Sequence, residues 1–153
     1  MKKIILLIIS VLTIVTLVAC GATTSKKEPK AKGKKMTLAF ATNPTTGYDW
    51  TFKFEEGDDK GKIFLENLEN EFPKGTGLVG QGGFRIYNFK ATAPGPQKLT
   101  FTYERPWEGG EKAYDVVYEL NVDSDLNIEW LDKQKGIIES EEKVDFFPDP
   151  IFA

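Results

Sequence analysis

The chain has 153 residues, a formal net charge of −3, one cysteine and no histidine. Without histidine it lacks the means for Ser-His-Asp or Cys-His catalysis and for the usual zinc sites, and a single cysteine leaves no internal disulfide. Carboxylate chemistry stays open, although no pair of acids stands out, and the length suits a single folded domain.

The N-terminus comes first. Lys2 and Lys3 precede an apolar run over residues 4–19, broken only by Ser10, Thr13 and Thr16. A basic start, an apolar stretch and small residues at its end predict a signal peptide over 1–19. Leu17-Val18-Ala19-Cys20 resembles a bacterial lipobox, which implies lipidation of Cys20 and an extracytoplasmic protein anchored to the bacterial cell membrane. A diacylated cysteine supplies the two chains that stable anchoring needs. The alternative is an ordinary signal peptide followed by an incidental cysteine.

Residues 20–35 carry Lys26, Lys27, Lys30, Lys32, Lys34 and Lys35 against Glu28 alone, with Pro29 and Gly33 between them. This composition predicts a flexible tether whose lysines are drawn to anionic headgroups. Such a run also suits nucleic acid, but no nucleic-acid partner is expected beside a lipid anchor outside the cell. The remainder is acidic: a domain over 36–123 and a C-terminal extension over 124–153.

Within the domain the period is two. Tyr48, Trp50, Phe52 and Phe54 alternate with polar residues, as do Leu99, Phe101 and Tyr103, and then Tyr114, Val116, Tyr118, Leu120 and Val122. Each pattern predicts a strand with one buried and one wet face. Weaker strands are predicted over 37–42, 62–68 and 84–91, the last with a parity shift at Ile86 and Tyr87 that predicts a bulge or burial on both faces. Turn residues cluster around Gly57, at Ala93-Pro94-Gly95-Pro96 and at Asp123-Ser124-Asp125. The expected fold is all-β, an immunoglobulin-like antiparallel β-sandwich. After Asp123, Ile128-Glu129-Trp130-Leu131 reads as a strand, and the residues beyond Leu131 read as strand, short helix or tail.

Three connections are richer than turns require. Asn43-Pro44-Thr45-Thr46-Gly47-Tyr48 combines an Asx-turn residue, a proline that fixes φ, two stiff hydroxyl residues with outward hydroxyls and a glycine free to take positive φ. Residues 73–83 contain five glycines, which are costly to order. A phosphate cradle needs a helix after it, but Phe84-Arg85-Ile86-Tyr87 is strand, so close backbone approach to a partner remains. Arg105-Pro106-Trp107-Glu108 joins two strong strands, and Trp and Arg are enriched at binding hot spots. Counted from Thr37, these connections follow the first, third and fifth strands, so all three emerge at one end of a sandwich.

N-P-T-T-G-Y at 43–48, G-x-G-G at 80–83 and R-P-W-E at 105–108 resemble, in order and spacing, the chagasin-like inhibitors of papain-family cysteine proteases, over about residues 37–122. The resemblance implies a three-loop wedge across a protease cleft, the glycine-rich loop over the catalytic cysteine and the other two flanking it. The protease-binding residues it implies are Asn43, Pro44, Thr45, Thr46, Gly47 and Tyr48; Leu78, Val79, Gly80, Gln81, Gly82 and Gly83; and Arg105, Pro106, Trp107 and Glu108, with Arg105 and Glu108 orienting Trp107. Inhibition by occlusion needs no catalytic residue, metal or cofactor, and a monomer is expected.

Two departures from the family are visible. A strand that usually precedes the N-P-T-T-G-Y strand is replaced by the lysine-rich stretch, and residues beyond Asp123 are extra. Part of 128–147 filling the vacant edge accounts for both. A rival reading is a non-inhibitory surface lipoprotein using Trp50 and Trp107 as sugar platforms. A hydrolase is a more distant rival, with only Glu108 and Asp49 as nearby carboxylates.

Overall fold

The computed structural model describes residues 27–55, 61–74, 80–135 and 147–153. Among these residues nine strands form two antiparallel sheets: β1 (Ala31–Gly33), β2 (Lys35–Thr42), β3 (Asp49–Phe54), β4 (Ile63–Glu71), β5 (Gly83–Ala91), β6 (Gly95–Glu104), β7 (Lys112–Val122), β8 (Ile128–Lys135) and β9 (Ile151–Phe152). One sheet runs β1-β8-β7-β6-β3 and the other β4-β5-β2-β9. The immunoglobulin-like sandwich expected from the alternation is therefore present.

Period-two patterning puts Met36, Leu38 and Phe40 of β2 opposite Phe101 of β6 and Val116, Tyr118 and Leu120 of β7, all fully or almost fully buried. Phe101 lies at the centre, with ring centroids 4.4 Å from Phe40 and 4.9 Å from Tyr87. Burial of each such side chain is worth about 1.5–3 kcal/mol, and that burial supplies the cohesion a disulfide would otherwise provide. The polar tips of Tyr87 and Trp50 are satisfied across elements. The Tyr87 hydroxyl donates to the Trp50 carbonyl, and Trp50 Nε1 donates to the Ala41 carbonyl at 2.9 Å.

The parity shift at Ile86 and Tyr87 marks neither a bulge in β5 nor its burial on both faces, and the irregularity lies on the neighbouring strand. Leu65 pairs with Phe89 and Asn67 with Asn88, so Glu66 is the extra residue of a bulge in β4. Strand β5 itself stays regular, with Tyr87, Phe89 and Ala91 buried and Phe84 half-exposed on the other face.

The expected boundaries need correction at both ends. The tether assigned to 20–35 is already sheet from Ala31, and β1 pairs with β8 from Ala31↔Trp130 to Gly33↔Ile128. Lys27 reaches Asp132 at 2.5 Å and Glu119 at 3.0 Å, and Lys30 reaches Asp132 at 2.8 Å. Lys32 approaches Asp123 at 3.4 Å, and Lys34 donates to the Asp125 carbonyl. These lysines lie along an acidic sheet edge because their carboxylate partners come from strands much later in the chain.

The extension over 124–153 is likewise part of the sandwich. Strand β8 widens the sheet beyond β7, β9 pairs with β2 through Met36↔Phe152 and Thr37↔Ile151, and Phe147 is buried against Trp50 and Tyr114. Within 128–147, β8 adds a strand beside β7, but the outer edge of β2 is met by β9 from beyond that range, and a short strand, β1, does precede β2 and lies outside β8. The expected signal peptide, Cys20, the Gly57 turn and residues 136–146 lie outside the described residues.

Candidate functional site

The three connections emerge at one end, because they link β2 to β3, β4 to β5 and β6 to β7. The first is a single 3-10 turn over Pro44–Thr46, capped by Asn43 in extended backbone. Asn43 Oδ1 accepts from the Thr45 amide at 3.2 Å and from the Thr45 hydroxyl at 2.7 Å. The Thr46 hydroxyl donates to the Asn43 carbonyl at 2.7 Å and accepts from the Tyr48 amide at 3.3 Å. Both threonine hydroxyls therefore bond within the turn, contrary to the expectation that they point outward. A Ser/Thr hydroxyl next to a free backbone group takes the local bond first. Pro44 at the start of the turn costs no donor, and Gly47 ends it at φ 76°.

This turn touches both neighbouring loops. Asn43 Nδ2 donates to the Gly80 carbonyl at 3.1 Å. On the other side, a Cβ placed on Gly47 would stand 3.1 Å from Cη2 of Trp107, so the indole lies directly against the glycine. Among the described residues the turn over 43–47 is the element in contact with both others. The tip on which the expected central position of the glycine-rich loop depends, with Leu78 and Val79, lies outside the described residues.

Tyr48 joins the first and third loops. Its ring stacks on Tyr103 with centroids 5.2 Å apart, which keeps the parity with Trp50 expected from the sequence. Its position at the end of the sandwich leaves it half-buried rather than in the core. The Arg105 guanidinium sits 4.8 Å over the ring, and the hydroxyl donates to Glu111 Oε2 at 2.8 Å, which raises the phenol pKa. Glu111 also approaches Arg105 at 3.8 Å, and the Arg105 amide donates to the Glu111 carbonyl at 3.0 Å. Glu111 is thus the acid that holds Arg105, whose guanidinium also lies 5.9 Å from the Trp107 ring it was expected to orient. Sequence reasoning missed Glu111, although opposite charges facing each other across a hairpin mouth are a usable signal.

Within the third loop, the Trp107 amide donates to the Arg105 carbonyl at 2.9 Å and the Gly110 amide to the Trp107 carbonyl at 2.8 Å. This tight backbone holds Trp107 56% exposed, with Pro106 and Glu108 exposed on either side. In the second loop, Gly80 has φ 88°, Gln81 is half-buried and Gly82 is exposed. Gly83 answers to the fold rather than to a partner, since a Cβ there would fall 2.4 Å from both the Glu71 carbonyl oxygen and the Phe72 ring.

The rival readings lose their residues. Trp50 is buried at 7% exposure, which leaves Trp107 without a second platform. Asp49 is bound to Arg85 across the two sheets and accepts from the Trp50 amide at 2.8 Å, so it buttresses the loops from below. The described residues contain no group of acids, histidines or cysteines able to hold a metal ion. What the site offers is a pre-bonded rim: a rigid turn, glycine backbone and one exposed indole.

Comparison with known proteins finds sequence relatives. The chain is 32% identical to chagasin from Trypanosoma cruzi over 81 residues, 52% of this chain and 72% of that protein. It is 31% identical to amoebiasin-2 from Entamoeba histolytica over 75 residues, 49% of this chain and 58% of that protein. A crystal structure of the cysteine protease inhibitor EhICP2 from Entamoeba histolytica matches at 25% identity and a TM-score of 0.41, covering 50% of this chain and 68% of that one. Residues 31–122, from β1 through β7 and all three loops, match the family described as chagasin family peptidase inhibitor I42, and the chain belongs to that family.

Proposed function

We propose that this chain is a reversible inhibitor of papain-family cysteine proteases, which it blocks by laying its three loops across the active-site cleft. The observation that carries this reading is the continuous contact across the rim, from Gly80 to Asn43 and from Gly47 to Trp107. Loops ordered before binding leave less conformational entropy to lose in the complex, so an interface of ordinary size, about 1,600 Å², suffices for tight binding. In this reading Gly80, Gln81 and Gly82 follow the cleft with backbone, Trp107 packs on one wall, and the turn over 43–47 packs on the other.

Titration of the domain, from Gly21 on, against papain or a cathepsin tests the proposal. Inhibition at submicromolar protein is expected, as is weakening by Trp107→Ala and by Gly82→Glu with the fold intact. Full protease activity at micromolar protein refutes the reading, and equal potency of both variants refutes the loop assignment.

The lipobox-like Leu17-Val18-Ala19-Cys20 supports a second element of the proposal, a monomeric inhibitor displayed on the membrane through lipid on Cys20. Metabolic labelling with a fatty-acid analogue, lost in Cys20→Ser, is the expected result. An unlabelled, freely secreted wild-type protein removes this element while leaving inhibition untouched.

A further inference from the structure

Both stems of the glycine-rich loop carry an exposed phenyl ring. Phe72 follows β4 directly and is 39% exposed; Phe84 is the second residue of β5 and is 50% exposed. The Phe72 ring lies over Gly83, which has no side chain to displace it. A groove of about 250 Å³ beside these stems is lined by Glu71, Phe72, Pro73, Gly82, Gly83 and Phe84. Phe84, Gly82 and Gly83 also border a larger apolar groove of about 590 Å³ that reaches Asn43 and Trp50. The apolar surface is thus continuous with the first two loops of the proposed inhibitory rim.

Exposed aromatic surface gathered beside a binding site is characteristic of interfaces rather than of ordinary solvent-facing strands. A second copy of this chain is a poor occupant. Strand β4, which carries the patch to the sheet edge, also bears Glu69 and Glu71 beside the lysine-paired Glu66, and pairing two such edges sets Glu69 and Glu71 against carboxylates of the other copy. The surface instead continues the path of a cleft that the glycine loop would enter.

We propose that Phe72 and Phe84 form an additional contact for the target protease, receiving an apolar side chain from the rim of its cleft in the groove that both line. The inference rests on the three-loop reading of inhibition and adds specificity to it. Proteases with an apolar residue at that part of the rim are held tightly, and those with a charged residue there are held weakly.

The test is the inhibition constant of the wild-type chain, of Phe84→Ala, Phe84→Lys and Phe72→Ala, and of Ile151→Ala as an exposed apolar control far from the loops. Thermal unfolding and sedimentation accompany each variant. Roughly tenfold weaker inhibition is expected for Phe84→Ala, as for a hot-spot aromatic, with a larger loss for Phe84→Lys and none for Ile151→Ala. If Phe72→Ala loses its fold because Gly83 is uncovered, the two Phe84 variants decide alone. A wild-type chain that inhibits while both Phe84 variants match it overturns this inference and leaves the three-loop reading standing. A wild-type chain that inhibits nothing overturns the three-loop reading and this inference with it. Self-association of the wild type that Phe84→Lys abolishes assigns the patch to a second copy and overturns the inference.

Discussion

Trp107 is seated on Gly47: the indole Cη2 lies 3.1 Å from where a Cβ on that glycine would stand. Gly47 is also at φ 76°, in the left-handed region. Gly47→Ala therefore meets backbone strain of about 1–2 kcal/mol and pushes the indole off its seat. The expected result is a lowered denaturation midpoint, a shift in tryptophan emission and weaker protease inhibition. Unchanged emission contradicts the contact.

Asn43 has two separable jobs. Its Oδ1 caps the turn through Thr45, while its Nδ2 ties the turn to the Gly80 carbonyl. Asn43→Ala removes both and is expected to cost about 1 kcal/mol of stability, the usual worth of such a cap. Asn43→Asp keeps the cap but sets a carboxylate against the Gly80 carbonyl. It is expected to fold almost as stably as wild type while inhibiting less well. Denaturation and inhibition measured on both variants check this, and equal inhibition by wild type and Asn43→Asp removes the tie from the mechanism.

Much of this arrangement is legible in the sequence, because strand alternation and turn chemistry are local. Trp50, Phe101 and Tyr118 announce their burial by parity, and the same parity sends the three loops to one end. What stays hidden depends on residues far apart in sequence or on a turn that has first to close. Lys27 and Lys30 read as a free basic run because Asp132 lies far along the chain. The threonine hydroxyls read as outward because their acceptors, Asn43 Oδ1 and the Asn43 carbonyl, are fixed only once the 3-10 turn closes. Gly83 looks like another partner-facing glycine until Phe72 is seen lying across it.

Alkaline pH is expected to unfold the domain through its core phenols. Burial pushes Tyr87 up to about 12 and raises Tyr118 further, its hydroxyl donating to the Pro148 carbonyl at 2.7 Å. Both phenols bind their protons more tightly folded than unfolded. Their contribution is therefore fully present below about pH 10, the unfolded value, and is lost as pH rises through the folded values. Phenolate absorbance and near-ultraviolet circular dichroism followed together should show these two tyrosines ionising as tertiary structure is lost. Ionisation with the dichroism intact contradicts their burial.

Acid acts on the opposite edge. Asp123 is held down to about 2 by bonds from the Asn127 side chain and backbone, the Asp125 amide and Lys32. Asp132 is also lowered, first by Lys27 and then by Lys30 and the Lys133 amide. Both contribute stability above about pH 4, the unfolded value, and lose it as pH falls through the folded values. Strand β1 is expected to leave β8 in this window, and earlier at high salt because these pairs are exposed. Hydrogen exchange of the Lys30 amide, which donates to the Trp130 carbonyl at 2.7 Å, reports it. Protection equal to that of the β7 amides near pH 2 contradicts the expectation.

The pairing of β9 with β2 has a kinetic consequence. Thr37 meets Ile151, and Lys35 exchanges two backbone bonds with Ala153, nearly the whole described chain away. Closure over such separations is slow, because the entropy of a long loop is lost before its contacts form. Strand β2, which leads into Asn43, gains its outer neighbour along Lys35, Met36 and Thr37 only when residues 151–153 arrive, so a chain still lacking them carries that end of β2 on an unpaired edge. Closure of the pair between β2 and β9 is thus expected to be among the last steps of refolding, after the aromatic core has collapsed.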